Sequence, residues 1–158
     1  MKRVRIAMSQ LPDLSERFKV KDYRRGHVKL SDDSIVIMRV AIVDVKPLQG
    51  PSLYEVQFEV IPAGGISILP SEKAMSEVKD KPVIEPGKVP TDGWTLIDII
   101  EKQPAYEEVE YILDEKKYII RAEMEALMVS KNTNYRTVKG EPIYNVAVTT
   151  KISWRKGE

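Results

Sequence analysis

His27 is the only imidazole in this chain, and cysteine is absent altogether. Nucleophilic catalysis needs a nucleophile, a base to take its proton and a group to orient that base. His27 lies in the basic bend Tyr23-Arg24-Arg25-Gly26-His27, and no Gly-x-Ser-x-Gly elbow accompanies it. It reads as an exposed turn residue rather than a base. Zinc sites draw on Cys and several His, which this composition does not supply. Hard cations take carboxylates, and two acidic groups qualify for inspection. Asp32-Asp33 are adjacent and suit a turn better than chelation, and the run Glu107-Glu108-Val109-Glu110 with Asp114-Glu115 matches no EF-hand spacing. The carboxylate pairs Glu55/Glu59 and Glu123/Glu125 fall on the outward sides of predicted strands, where they face water. Phosphate cradles need glycines ahead of a helix. Gly64-Gly65 leads instead into Ile66-Ser67-Ile68, and Asp92 beside Gly93 repels an anion. The sequence therefore assigns no catalytic, cofactor-binding or metal-ligating residue.

A basic N-terminal segment carries the one candidate contact surface. Lys2, Arg3, Arg5, Lys19, Lys21, Arg24, Arg25 and Lys29 are positioned in sequence to meet phosphates. Binders of single-stranded nucleic acid combine such a groove with exposed aromatic rings, and only Tyr23 is interleaved here. Tyr54, Phe58, Tyr144 and Trp154 are expected on the core face. Net charge is +1 but is sorted along the chain. Residues 1–30 carry nine Lys/Arg against three Asp/Glu, and 131–158 carry six against two. The acidic middle comprises 31–97, with six against ten, and 98–130, with four against nine. Basic ends and an acidic middle can neutralise one another within a fold or between subunits.

The elements that must position these groups are mostly strands. A motif occurs twice: Gly50-Pro51-Ser52-Leu53-Tyr54-Glu55-Val56 and Gly140-Glu141-Pro142-Ile143-Tyr144-Asn145-Val146. Each follows a long apolar stretch and reads as the return strand of a hairpin. Ile35 to Val45 is rich in β-branched residues and predicts a central strand covered on both faces. Tyr54, Val56, Phe58 and Val60 are expected to line the inward side of its return strand, which Pro62-Ala63-Gly64-Gly65 ends, with Ile66, Ile68 and Leu69 as a short edge strand. The alternating pattern from Tyr118 to Met128 predicts a strand over 118–129, against a local helix preference in Ala-Glu-Met-Glu-Ala-Leu-Met. Tyr144, Val146, Val148, Thr150, Ile152 and Trp154 are expected to face the core. Val4, Ile6 and Met8 predict a short strand over 3–8, and short strands are expected around the Gly26 bend. Residues 70–92 hold four prolines and form an extended connector with room for a short helix at 72–79. Thr91-Asp92 supplies an N-cap, and the spacing of Trp94, Ile97 and Ile100 predicts a helix near 93–103.

The expected fold is mainly β (α+β minor): one domain over 1–158, built as a sandwich or partly open barrel. Two hairpin units, about 28–61 and 109–154, are joined by the connector 70–92 and the flanking helix. With no reaction specified, the function expected is that of a non-enzymatic structural or protein-interaction subunit, self-assembling or part of a larger complex. The alternatives are a DNA/RNA-binding module, with Arg3, Arg5, Lys19, Lys21, Arg24, Arg25 and Lys29 as contacts, and a ligand-binding β-barrel or an enzyme whose residues converge only in the fold. No cofactor is expected. Protein partners or self-association are, nucleic acid is an option, and a membrane is not. No apolar run reaches the roughly 20 residues a bilayer requires, and no apolar segment follows the charged N-terminus, so the expected compartment is the cytoplasm. Few Asn and Gln beside many Lys, Glu, Val and Ile suit a thermophile.

Overall fold

Alternating apolar residues with a high β-branched content drive nearly every element of this chain. The computed structural model describes residues 14–158, and these form two open antiparallel sheets flanked by one short helix. The chain passes through a turn of 3-10 helix at Leu14–Glu16 into β1 (Lys19–Arg24), β2 (Gly26–Leu30), β3 (Ile35–Leu48) and β4 (Gln57–Leu69). The helix α1 (Glu72–Glu77) follows. Then come β5 (Trp94–Ile97), β6 (Ile99–Gln103), β7 (Ala105–Leu113), β8 (Lys116–Arg136) and β9 (Pro142–Lys156).

One sheet has the order β4-β3-β2-β6. In the other, the long strand β8 pairs on one side with β7 over its first half and with β5 further on, and on its other side with β9. β1 extends that sheet beyond β7. The chain changes sheet at Arg25, at Asp98 and at Pro104, between strands that follow one another directly. Gly26 makes the first change possible. A Cβ there would stand 2.5 Å from the Ala105 nitrogen and 2.6 Å from the Gln103 carbonyl oxygen, so only glycine permits that approach.

The inward rows of both sheets meet in one hydrophobic cluster. Val28, Leu30, Val36, Met38, Val40 and Val45 come from one sheet, and Val109, Ile120, Ala122, Met124, Ala126 and Val129 from the other. Each large side chain buried there contributes about 1.5–3 kcal/mol. Phe58 closes one end, edge-on to Tyr111, Tyr118 and Trp154 at centroid distances of 5.4, 5.4 and 5.5 Å. Bulges at Val43 on β3 and at Leu127 on β8 reset the alternation. An extra residue moves every later side chain to the opposite face. The inward row of β8 accordingly changes from even positions up to Ala126 to odd ones at Val129 and Lys131.

Several expectations are corrected. The predicted helix near 93–103 is two strands, β5 and β6, lying in different sheets. Trp94, Ile97 and Ile100 stand at helical spacing, but Ile100 is exposed and the half-buried residues are Trp94, Ile97 and Ile99, the row being offset where the chain passes from one sheet to the next at Asp98. Pairing with Val129–Asn132 and with His27–Leu30 decides the outcome for a stretch rich in isoleucine. The flanking helix lies earlier, at Glu72–Glu77, where the Ser71 side chain accepts a hydrogen bond from the Ala74 N–H. β3 is covered fully on one face only, since Ile35 and Val43 are exposed. β4 does not end at Gly64-Gly65 but runs unbroken to Leu69. Tyr54 precedes β4, in the loop, and is 73% exposed. The strand predicted over 118–129 is present and longer, as β8. The strand predicted over 3–8 lies outside the described residues.

Candidate functional site

Turn chemistry places the most chemically loaded cluster. Asp32, in the tight turn between β2 and β3, accepts a hydrogen bond from the Ser34 N–H at 3.0 Å, the habit of an aspartate that caps its own turn. Its other oxygen, Oδ2, accepts from the Lys131 ammonium at 3.0 Å and the Tyr144 hydroxyl at 2.5 Å. Lys131 also reaches Glu77 of α1 at 2.7 Å, and the Tyr144 hydroxyl lies 3.0 Å from Ser34 Oγ. Ser71, the N-cap of α1, donates to the Asp32 carbonyl oxygen, and its N–H donates to Ser34 Oγ. Residues from β2–β3, α1, β8 and β9 are tied at one point.

The electrostatics of that point hold each group in its ordinary protonation state. Burial acts to raise the Asp32 pKa, but hydrogen bonds from Tyr144, Ser34 and Lys131 outweigh it and hold the carboxyl below its ordinary value. Burial acts to lower the Lys131 pKa, and its bonds to Glu77 and Asp32 outweigh that, so the ammonium keeps its proton more tightly than usual. Burial and then the Asp32 carboxylate push the Tyr144 hydroxyl well above its ordinary value. A general acid or base must exchange its proton near working pH. Here the cation is locked on and the phenol is locked neutral. The arrangement is a clamp. A shallow surface pocket of about 270 Å³ adjoins it, lined by Lys73, Thr95, Asp98 and Thr133 with Asp32, Glu77 and Lys131.

Other ionic groups also hold strands together. Glu107, 4% exposed, accepts from the Ile42 N–H at 2.8 Å and from Arg39 at 3.0 Å, joining β7 to β3 at the bulge. Glu108 takes Arg121 and Arg155, and Glu125 takes Lys102 and Lys151, which lower the Glu125 pKa to about 2. His27 is on β2 rather than in a turn, with Nε2 3.1 Å from Glu101. Among the described residues no cluster of three or more His, Cys, Asp or Glu is arranged to hold a metal ion, and no helix is long and apolar enough to cross a membrane.

The sequence-derived phosphate contacts are distributed as follows. Arg3 and Arg5 lie outside the described residues. Lys19, Lys21 and Arg24 are exposed on β1, Arg25 is exposed between β1 and β2, and Lys29 is exposed on β2. Arg24 donates to the Pro104 carbonyl and stacks over Tyr106, whose opposite neighbour is Arg121. The strand beside β1 carries Glu107, Glu108 and Glu110. Lys21 joins Lys117, Arg155 and Lys156 around a cleft of about 410 Å³.

Sequence reasoning missed the clamp. Asp32 is readable as a turn residue, but Lys131 turns inward only because of the bulge at Leu127, which no local pattern announces.

The remaining unusual feature is backbone. β4 pairs only with β3 and β9 only with β8 among the described residues, leaving two long strand edges. These edges meet at one end and part at the other. Phe58 touches Trp154 and Glu55 pairs with Lys156 at one end, and a cleft lined by Ile66, Ile68, Pro142 and Tyr144 separates them at the other. Comparison with known proteins finds no match among protein-family models, curated proteins or solved structures.

Proposed function

We propose that the protein is a non-enzymatic interaction subunit that assembles through its sheet edges, with itself or within a larger complex. The observation that carries this reading is β9, a fifteen-residue strand with no partner on its outer side among the described residues. An edge of that length presents a ladder of N–H and C=O groups, and natural sheets cover or blunt such edges. The charged side chains support the same reading, because they are engaged in holding strands and not in creating a reactive group. Light scattering of the purified protein over a range of concentration and salt tests it. The expected result is a particle heavier than one 18.0 kDa chain. A mass fixed at one chain at high concentration counts against self-assembly.

A second reading is favoured by one arrangement. Lys21, Lys117, Arg155 and Lys156 line one cleft together with Glu110 and Glu158, with Arg24 and Arg25 near Lys21 in sequence. Nucleic acid bound there is expected to be released by salt, and Arg24→Glu with Arg25→Glu to flatten that dependence. Absence of retention on an oligonucleotide column at low salt removes it.

A further inference from the structure

We infer that the partner on the β9 edge is a second copy of this chain, joined β9 to β9 in antiparallel register centred on Val148. The inference rests on the interaction-subunit reading and specifies its contact. Between Pro142 and Gly157 the strand has no proline and no glycine, and from Ile143 to Trp154 its only charge is Lys151. Its irregularities, at Leu127 and after Asn132, belong to the neighbouring strand β8. From Ile143 to Trp154 β9 itself has none of the usual devices that discourage pairing, a proline, a bulge or an inward charge, and Pro142 and Lys156 stand only at its two ends.

Charge distribution selects a copy of the same strand and sets its direction. Glu141 stands at the start of β9, and Lys151, Arg155 and Lys156 stand toward its end. A parallel copy sets like charges side by side. An antiparallel copy centred on Val148 sets Glu141 opposite Arg155 and Lys151 opposite Asn145, with no like charges facing. Exposed pairs of this kind add little affinity but fix orientation.

The inward row argues for the same register. Val148 lies opposite buried Ala126 and so points to the core side, yet it is 37% exposed. In the other layer β4 carries Pro62, Gly64 and Gly65, with Gly64 against the Met124 side chain of the inward β8 row, and these offer little side chain to cover Val148. A twofold axis through Val148, perpendicular to the sheet, keeps both inward rows on one side. Val148 then meets its own copy, Val146 meets Thr150, and Tyr144 meets Ile152.

The chain has no cysteine, so a single introduced one reports cleanly. Directly opposed residues in an antiparallel ladder have Cα atoms about 4.5–5.5 Å apart, within disulfide reach. Val148→Cys is expected to give a cross-linked dimer under mild oxidation, and Ala63→Cys on exposed β4 is not. Val148→Lys places two ammonium groups face to face and is expected to weaken the dimer about tenfold or more. Unchanged circular dichroism shows that the variant folds. An oligomer that resists Val148→Lys and forms no cross-link in the Val148→Cys variant overturns the β9 assignment while leaving the subunit reading standing. A chain monomeric under all conditions overturns both the β9 assignment and self-assembly. A chain that dimerises only after residues 1–13 are deleted has its own N-terminal segment on the edge, which overturns assignment to a second copy.

Discussion

In the first long hairpin the return strand β4 carries Pro62, Gly64 and Gly65 at its centre. In the second, the return strand β9 carries Val146, Val148 and Thr150 there. Proline removes a backbone donor and glycine removes the side chain, so the edge of β4 is a poor template and the edge of β9 a good one. The turns differ too. The loop before β4 exposes Leu53 and Tyr54, whereas the turn before β9 is closed by Thr137 N–H to the Glu141 carbonyl at 2.8 Å and Gly140 N–H to the Thr137 carbonyl at 2.9 Å. Tyr54 and Tyr144, matched in the sequence motif, therefore have unlike fates. Tyr54 is exposed in the loop, and Tyr144 is bonded to Asp32. A shared motif does not dictate a shared environment. The partner turn and the composition of the strand do.

The contrast can be broken at its strongest point. Lys131→Met leaves Asp32 and Glu77 without their cation and is expected to cost about 3–5 kcal/mol, because an unpaired buried charge loses its compensation. Urea unfolding measures it, and a loss below about 1 kcal/mol would mean that the second hairpin is not pinned there. Tyr144→Phe is expected to cost about 1–3 kcal/mol by removing a donor from a buried acceptor. Tyr54→Phe is expected to stay within about 0.5 kcal/mol of the parent. Equal effects at the two tyrosines would erase the distinction between the hairpins.

Acid gives a third handle. The folded-state pKa of Asp32 is lowered from an ordinary 3.8. Its contribution to stability is therefore complete well above 3.8 and is lost as pH falls through the folded value. Glu125, lowered to about 2, acts in the same direction from an ordinary 4.5. Acid titration of Lys131→Met should show a shallower loss than the parent, and identical slopes would remove Asp32 as a cause. The smallest expected effect sharpens the view of β4. Gly65→Ala has open space and is expected to gain about 0.5 kcal/mol from chain entropy. Gly64→Ala should gain less, since Met124 Sδ would lie 2.9 Å from the new Cβ.

Period-two patterns make β3, β8 and β9 legible in the sequence, even where Ala-Glu-Met-Glu-Ala prefers helix, because a long strand buries one face regardless of local preference. The 93–103 region misleads for the opposite reason. β5 and β6 are too short to display a period, and their identity comes from partners distant in sequence. The Asp32–Lys131 clamp depends on a bulge and three separate segments, so its members look like an ordinary turn aspartate and an ordinary surface lysine. The flank of β9 that is unpaired among the described residues is foreshadowed only in general terms, as a long strand that needs covering.

Gly26, Asp98 and Pro104 lie where the chain steps from one layer to the other, and the Ser31 N–H bonds the Asp98 carbonyl at 2.9 Å along that side. The molecule is thus bound like a book, with its spine there and its fore-edge at β4 and β9. Thermal breathing should fan the pages at the fore-edge while the spine stays shut. Amide hydrogens on the β4 margin should then exchange long before those of β2 and β7.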